Sequence, residues 1–495
     1  MKFTDYIEYD ATGIAGLIAR KEIAAQDACQ ASLLAVGRLN TILNAVVEVW
    51  ADEVPPTGNR ISSTATSVYT PFQGVPFMVK DLVLQRRSRK IEMGSRLAKG
   101  LTAQHNSFLM DIIDSLGFVT LGRTATPELG HSCTTESVAN GPTRNPWNLD
   151  HSAGGSSGGA GAAVAAGIIP LAHANDGAGS IRIPAACCGL LGLKPSRGRV
   201  SAGPDTAEGL FGMGVELAIG RSVRDMAAFL DGAAKPMPGD PFVIMKACDS
   251  FQAVIKRPPP RLRIAFTVTP WYEAPISTEI IQETYNAAAL CAELGHTVEE
   301  ASPSFDYHTM RAACIMSWAS GIKKWADSLA AASGRQINQD TMEAATLAMY
   351  HYGASLTASD LLKAMDGLNA VSRAIGPFFE TYDVLITPTT AQPAPQLRTY
   401  DQNRAHITHD QWFDHKGKFP PFLAAFNVTG QPAMSVPLGM SKAGLPIGIQ
   451  FVGKFGREDT LLALAAQLEQ SRPWQPQLLR MQRALWEKAD QLNVN

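Results

Sequence analysis

Residues 151–184 constrain this 495-residue chain more than any other stretch, because small side chains dominate them. Two serines, Ser156 and Ser180, lie in glycine-rich settings with an Ala- and Gly-rich segment between them. Glycine removes shielding side chains and opens backbone angles that other residues avoid. Bare backbone N–H groups beside an exposed hydroxyl suit an acyl-transfer site, since they bind the oxyanion that forms when the hydroxyl attacks a carbonyl.

A lysine upstream adds a third polar group to this pattern. Lys80 ends the hydrophobic run Val75-Pro-Phe-Met-Val-Lys80, which predicts a short buried strand over residues 75–80. Burial lowers the pKa of a lysine from its ordinary value of about 10.4. Asp81 points to the opposite face of a strand and need not pair with Lys80. From spacing alone, Lys80 also fits a sheet-edge lysine with its ammonium in water, and Ser180 also fits a serine that caps the next segment.

Helical and strand patterns alternate along the chain. Helices are predicted over residues 105–116, 158–167, 222–230, 279–294 and 459–469. Strands are predicted over residues 118–122, 262–268, 383–386, 433–437 and 447–452. This alternation favours an α/β protein with a layered sheet. A mostly helical, substrate-facing insertion is predicted over residues 305–375, and a loop over the Pro/Ser/Thr-rich residues 52–66.

Composition narrows the function classes. The chain carries 43 basic and 45 acidic residues, a net charge of −2, so nothing indicates nucleic acid or an anionic membrane as partner. Seven scattered cysteines and ten histidines form no metal-binding motif, and we predict neither metal nor cofactor. The N-terminus lacks the apolar segment of a signal peptide, and no run of 18 apolar residues occurs. We therefore expect a cytoplasmic protein with free thiols.

The motifs around the serines and the lysine resemble those of the amidase signature family of serine hydrolases. The matching segments are 74–81, 154–159, 176–184, 189–198, 383–388, 426–432 and 444–450. The resemblance runs from about residue 10 to about residue 475. It implies a central mixed, twisted sheet with helices on both faces. It also implies a single amidase domain over residues 1–495, with the signature core at about 70–205.

Smaller motifs narrow the resemblance within the family. Thr135-Glu136, residues 143–148 and Ala172-His-Ala-Asn-Asp176 are similar to those of the bacterial 6-aminohexanoate-cyclic-dimer hydrolases, which open cyclic amides. The resemblance implies hydrolysis of linear or cyclic non-peptide amides through an acyl-enzyme intermediate.

The family resemblance also implies catalytic roles for named residues. Ser180 is the implied nucleophile and Lys80 the implied general base. Ser156 is the implied bridge between them, preceded by a cis peptide bond from Gly155. The implied oxyanion donors are the backbone N–H groups of Gly177, Ala178, Gly179 and Ser180.

Three neighbours have implied supporting roles. Asp176 and Arg182 match family positions beside the nucleophile and are expected to hold its loop. Ser157 is expected to support the site or to cap the helix that follows it. One position departs from the family, because Ala178 stands where glycine is usual. A positive φ there would strain the alanine.

Other readings stay open at this stage. The same triad is compatible with a carbamate or ester hydrolase (urethanase-like). The family also includes the amidase subunit of tRNA-dependent amidotransferase complexes. Finally, Gly155-Ser-Ser-Gly-Gly159 fits the G-x-S-x-G nucleophile elbow, with Ser157 as nucleophile, but the elbow needs a strand directly before it and composition predicts a loop.

The substrate pocket is expected to involve residues 125–150, 305–355 and 400–425. The expected partner is a small-molecule amide, carbamate or ester, and a homodimer is left open. Candidate lining residues are Trp318, Trp325, Tyr350, Tyr352, Trp412 and Cys314.

Overall fold

A large mixed β-sheet organises the fold. The computed structural model describes residues 1–56, 70–245 and 248–493. Residues 57–66 of the predicted loop lie outside these ranges. Among the described residues, eleven strands form the central sheet: β1 (Val46–Val49), β2 (Pro76–Lys80), β3 (Val119–Thr124), β4 (Leu171–Asp176), β5 (Leu191–Lys194), β6 (Val215–Gly220), β7 (Arg263–Phe266), β8 (Thr297–Glu300), β9 (Val384–Pro388), β10 (Ala433–Met440) and β11 (Pro446–Gly453).

The strands are arranged in the order β1-β3-β2-β4-β6-β5-β10-β11-β9-β7-β8. β2 runs parallel to both β3 and β4, and β7 runs parallel to both β8 and β9. The pairs from β4 across to β9, and the β1–β3 pair, are antiparallel, so the sheet is mixed as expected. Because β2 and β4 are parallel neighbours, their last residues, Lys80 and Asp176, lie at the same edge of the sheet.

Helices flank this sheet. Over the described ranges they are α1 (Phe3–Tyr6), α2 (Ala11–Ala19), α3 (Ala25–Leu43), α4 (Phe108–Ser115), α5 (Gly158–Ala165), α6 (Arg182–Cys188), α7 (Val223–Ala233), α8 (Phe251–Val254), α9 (Thr278–Glu293), α10 (Tyr307–Ser333), α11 (Ala344–Ser355), α12 (Ala358–Ile375), α13 (Phe378–Thr381), α14 (His409–Gly417), α15 (Ala424–Val428), α16 (Glu458–Ser471) and α17 (Gln475–Asn493).

Most predicted elements are present, with shifted ends. The helix predicted from residue 105 begins at Phe108, because Ser107 is tied to Gln85 by hydrogen bonds through both its backbone N–H and its hydroxyl. The helix predicted over residues 459–469 is α16, and a further helix, α17, follows it. Residues 305–375 are largely helical, as expected, since α10, α11 and α12 lie there.

The glycines of α5 let it pack closely on its neighbours. All eight of its residues are buried. A Cβ on Gly159 would lie 2.2 Å from the backbone nitrogen of Ala125, and one on Gly161 would lie 3.1 Å from Pro184 of α6. Larger side chains would push α5 away from both neighbours. The small residues of segment 151–184 therefore bring the starts of α5 and α6 together.

The long helix α10 packs against α11 and α12 around a second apolar cluster, which includes Ala319, Ile322 and Leu368. None of the helices in the described ranges has the length and apolar character that a membrane span requires. Six cysteines of the described ranges are free thiols: Cys29, Cys133, Cys187, Cys188, Cys291 and Cys314. Within the same described ranges, no group of three or more His, Cys, Asp or Glu side chains is placed to hold a metal ion.

Candidate active site

Lys80 lies at the centre of a buried polar cluster at the end of β2. Its side chain is fully buried, and its Nζ donates to Ser156 Oγ over 2.7 Å and to Asn175 Oδ1 over 2.6 Å. Asn175 is oriented in turn because its amide nitrogen donates to the carbonyl of Leu82 over 3.1 Å. Asp81 points away, and its carboxylate accepts from Arg123 over 2.5 Å. Lys80 therefore has two neutral oxygens, and no carboxylate, as its immediate partners.

A histidine and a glutamate lie behind Lys80. The Lys80 backbone N–H donates to His173 Nδ1 over 3.2 Å, so the proton of a neutral His173 is on Nε2, which lies 2.7 Å from Glu216 Oε2. Burial lowers the pKa of Lys80 to about 7, while the charges of Glu216 and Asp176 oppose that shift. A substantial fraction of Lys80 is therefore uncharged near neutral pH and able to accept a proton.

Ser156 follows a cis peptide bond from Gly155. A Cβ on Gly155 would lie 2.5 Å from the carbonyl oxygen of Thr134, so only glycine fits there. The hydroxyl of Thr135 donates to the carbonyl of Gly154 over 2.9 Å. These contacts hold the backbone around Ser156 and place its Oγ beside Lys80 Nζ.

Ser180 faces the same cavity as Ser156 and is 8% exposed. In this geometry Ser180 Oγ has no hydrogen bond to any described residue, so the Ser156–Ser180 hydroxyl contact that a proton relay needs is not formed. Such bonds often tighten only when substrate binds.

The loop before Ser180 is fixed by a buried ion pair. Arg182 Nε and Nη2 each lie 2.9 Å from the Asp176 carboxylate, and both side chains are fully buried. Asn427 Nδ2 donates to Asp176 Oδ1 over 2.9 Å. Burial alone would raise the pKa of Asp176, but the Arg182 guanidinium outweighs it and holds that pKa well below its usual range. Asp176 therefore stays charged and anchors the loop.

Three of the four backbone N–H groups expected to bind an oxyanion are available in the loop at residues 177–180. The Gly179 N–H donates to Asp176 Oδ1 over 2.6 Å, so it is already engaged. The N–H groups of Gly177, Ala178 and Ser180 have no acceptor among the described residues. Ala178 is not among the residues with positive φ, so the alanine is not strained there. Three donors, rather than the four expected, are available for an oxyanion.

Ser157 does not have the geometry of a nucleophile elbow. It occupies the N-cap position of α5, but its fully buried hydroxyl donates to the carbonyl of Asn175 over 3.3 Å instead of capping the helix. The segment before it is not a loop throughout, since Asn148–Ser152 pairs with Arg144–Asn145 in a small ribbon. That strand ends at Ser152, so it does not lead directly into Ser157.

Comparison with known proteins identifies the family of this chain. The amidase family matches residues 27–462. The chain belongs to the amidase signature family. The 6-aminohexanoate-cyclic-dimer hydrolase of Paenarthrobacter ureafaciens is 36% identical to this amidase over 96% of this chain and 98% of that protein. This amidase is therefore a hydrolase of carbon–nitrogen bonds.

Solved structures give the same result. A 6-aminohexanoate cyclic dimer hydrolase complexed with substrate matches the amidase with a TM-score of 0.87 at 35% identity, covering 96% of this chain and 99% of the other. A bacterial aryl acylamidase of the amidase signature family matches with a TM-score of 0.84 at 26% identity, covering 96% and 98% of the two chains. The α/β fold with its mixed central sheet is thus that of the family.

Two cavities meet at Ser180 in this amidase. The larger, of about 220 Å³, we call the Trp325 cavity; its lining includes Ser156, Asn175, Glu208, Glu216, Lys324 and Trp325. The smaller, of about 90 Å³, we call the Lys416 cavity; its lining includes Ala178, Tyr307, Arg311, Cys314, Phe413 and Lys416. Gly130, Ser180 and Trp318 line both. A substrate held at Ser180 can therefore extend in two directions.

The predicted pocket segments contribute unequally to these cavities. Trp318 lines both cavities, Trp325 the larger and Cys314 the smaller. The other aromatic candidates line neither cavity: Tyr350 donates its hydroxyl to Asp327 over 3.2 Å, Tyr352 stacks on His409, and Trp412 is fully buried.

Three residues around Lys80 had no catalytic role in the sequence analysis. His173 and Asn175 alternate along the buried strand β4 and face Lys80 together, so the two-residue period of a strand is a signal that identifies them. Glu216 carries no comparable signal, because it reaches His173 only through the pairing of β6 with β4. Residues 197–216 contribute much of the Trp325 cavity and were not predicted.

Proposed function

We propose that this amidase hydrolyses non-peptide amides, linear or cyclic, through an acyl-enzyme intermediate on Ser180. The observation that carries the proposal is the 2.7 Å contact between Lys80 Nζ and Ser156 Oγ, buried beside a cavity that Ser180 also lines. A neutral Lys80 that contacts the Ser156 hydroxyl is positioned to act as a general base. The Ser180 hydroxyl makes no hydrogen bond to a described residue and faces the cavity. The relatives named for a cyclic amide are the reason to include cyclic amides beside linear ones.

Acylation follows from this placement. Ser180 Oγ attacks the substrate carbonyl and gives its proton to Ser156, while Ser156 gives its own proton to neutral Lys80. The N–H groups of Gly177, Ala178 and Ser180 donate hydrogen bonds to the developing oxyanion. The C–N bond then breaks, and the proton returns through Ser156 to the departing amine. Lys80 is neutral again, and Ser180 carries the acyl group.

Deacylation repeats the steps with water. The water gives a proton to the Ser156–Lys80 pair and attacks the acyl carbonyl. The bond to Ser180 Oγ breaks, Ser180 regains its proton, and the carboxylic acid leaves. No group other than substrate and water is consumed.

Fluorophosphonate labelling followed by peptide mapping tests the nucleophile. We expect one adduct, on Ser180, that Ser180→Ala abolishes and that Ser157→Ala retains. An adduct on Ser157 would overturn the assignment. The same two variants should separate in turnover, since Ser180→Ala should lose all measurable amide hydrolysis and Ser157→Ala should not.

A substrate panel tests the amide assignment separately. It contains the cyclic dimer of 6-aminohexanoate, a linear oligoamide, an aryl amide, and the carbamate and ester matched to that aryl amide. Hydrolysis of amides by the isolated chain supports the proposal. Carbamate cleavage without amide cleavage would contradict it, and activity only with added glutamine and copurifying subunits would favour an amidotransferase subunit.

A further inference from the structure

The Lys416 cavity contains a cation that has no counter-ion among the described residues. Lys416 lies in α14 and is partly buried. Its Nζ lies 5.2 Å from the ring centre of Trp318 and 5.3 Å from that of Phe413, both of which line the cavity. Its one hydrogen-bond acceptor is the carbonyl of His131, at 3.5 Å. Aromatic faces and one distant carbonyl leave most of its hydrogen-bonding capacity unused.

Within the part of the chain that the structure describes, no group near Lys416 supplies the missing negative charge. No carboxylate of a described residue lies within 4.0 Å of Lys416 Nζ. The nearby acidic groups are the thiols of Cys133 and Cys314, and burial raises the pKa of each to about 12, so both are neutral at neutral pH. Burial also holds the pKa of His131 well below its ordinary value, so that side chain is uncharged.

The other cation of the cavity is already paired. Arg311 Nε lies 2.6 Å from Asp414 and its Nη2 lies 3.0 Å from Asp410. Arg311 is therefore neutralised by two carboxylates, and Lys416 is the cation left for a ligand. A partly desolvated ammonium gains far more from an anion than an exposed one does.

From this arrangement we propose that the Lys416 cavity binds a carboxylate carried by the substrate, joined to the scissile amide by a short aliphatic chain. The inference rests on the proposed function, because Ser180 lines the same cavity and supplies the reacting end. Apolar walls such as Met310 and Phe413 suit the intervening methylenes, and Lys416 then determines specificity for acidic amides.

The pKa of Lys416 supports the same inference. Burial lowers it to about 7, so the ammonium form is present near neutral pH but is not strongly favoured. A bound carboxylate stabilises that form directly. Lys324 offers the contrast, since it lies on the Trp325 cavity but is exposed to water.

Matched substrate pairs test the proposal. Glutaryl 4-nitroanilide against valeryl 4-nitroanilide places the carboxylate on the acyl side. N-butyryl-6-aminohexanoate against N-butyrylhexylamine places it on the amine side. We expect wild type to prefer the acid in at least one pair, and Lys416→Met to reduce that ratio of kcat/KM values by about 10- to 100-fold. Lys416→Arg should recover part of the ratio.

Two control variants remove the same charge elsewhere. Lys418→Met changes an exposed lysine two positions along and should leave both rates and their ratio unchanged. Lys324→Met removes the exposed lysine of the Trp325 cavity, which Arg197 also lines. If Lys324→Met abolishes the preference and Lys416→Met does not, or if wild type shows no preference in either pair, the proposal is wrong.

A measurement on wild type alone guards against a variant that fails to fold. Hexanoate should protect Ser180 from the fluorophosphonate at lower concentration than hexanamide does. Equal protection by both would contradict a carboxylate site. The same experiments test the proposed function separately. Labelling of Ser180 and hydrolysis of the neutral amides would support that function even if the carboxylate site is wrong.

Discussion

Two lysines near Ser180, the buried Lys80 and the partly buried Lys416, have similarly lowered pKa values but different surroundings. Burial lowers the pKa of both Lys80 and Lys416 to about 7. Lys80 Nζ has two side-chain oxygens within 2.7 Å, whereas Lys416 Nζ has one carbonyl at 3.5 Å and aromatic rings. The shift alone therefore does not identify a catalytic lysine.

The two amines differ in their neighbours: Lys80 can exchange a proton with a hydroxyl, and Lys416 can bind an anionic ligand. Lys80 is held against a hydroxyl, so its proton can move to and from Ser156 without a change of position. Lys416 faces a cavity that has no matching anion, so it is suited to a ligand. Two lysines whose pKa values are lowered to a similar value can thus have different roles, because the groups that surround the two amines differ.

The largest expected effect is a difference in kcat/KM between variants of the two lysines. Lys80→Met should reduce kcat/KM on a neutral aryl amide by about 100- to 10,000-fold, the range typical of a lost general base. Lys416→Met should reduce it much less, since that substrate has no carboxylate. Steady-state kinetics on both variants, with folding checked by circular dichroism, makes the comparison. Equal losses would show that the two lysines do not differ in role.

The buried Arg182–Asp176 ion pair should stabilise the fold more than the partly exposed ion pairs of Arg311 do. Arg182→Met leaves Asp176 charged and unpaired in the core, and we expect it to reduce the free energy of unfolding by about 3–5 kcal/mol. Arg311→Met removes a partly exposed pairing beside Lys416 and should cost about 1 kcal/mol or less. Urea denaturation of both variants measures the difference, and similar midpoints would contradict the anchoring role of Asp176.

Ala178, close to the proposed nucleophile Ser180, lines the Lys416 cavity. Ala178→Gly removes a methyl group from the wall of the Lys416 cavity and keeps the backbone N–H. We expect the ratio of kcat/KM between a branched and a linear acyl substrate to rise by about tenfold, the lower end of what one methyl contributes to specificity. A loss of activity on every substrate would mean that the methyl supports the loop instead of shaping the cavity.

The pH profile should report Lys80 and its neighbours. In the proposed mechanism Lys80 acts as a base only when neutral, so kcat/KM on a neutral amide should rise as the pH passes through about 7. The charge of Glu216 raises the pKa of Lys80, so Glu216→Gln should move the midpoint to lower pH. Gln keeps an oxygen that can accept from His173. Glu208→Gln, a carboxylate elsewhere in the Trp325 cavity, should leave the midpoint in place.

Much of the candidate site was predictable because its signals are local. Lys80 closes a hydrophobic run, and Ser156 and Ser180 stand among glycines that close packing requires. The close approach of Gly159 to Ala125 shows why that composition is needed. The engaged N–H of Gly179 was not predictable, because it depends on where the Asp176 carboxylate turns.

The sequence by itself determined the α/β pattern, the family and the two glycine-flanked serines, since these depend on residue type and on spacing along the chain. Only the tertiary structure decided which charges surround each lysine. Glu216 reaches His173 because β6 pairs antiparallel with β4, and Lys416 reaches the cavity of Ser180 because α14 packs beside it. Contacts between distant segments depend on strand register and helix packing, which no local pattern of residues specifies.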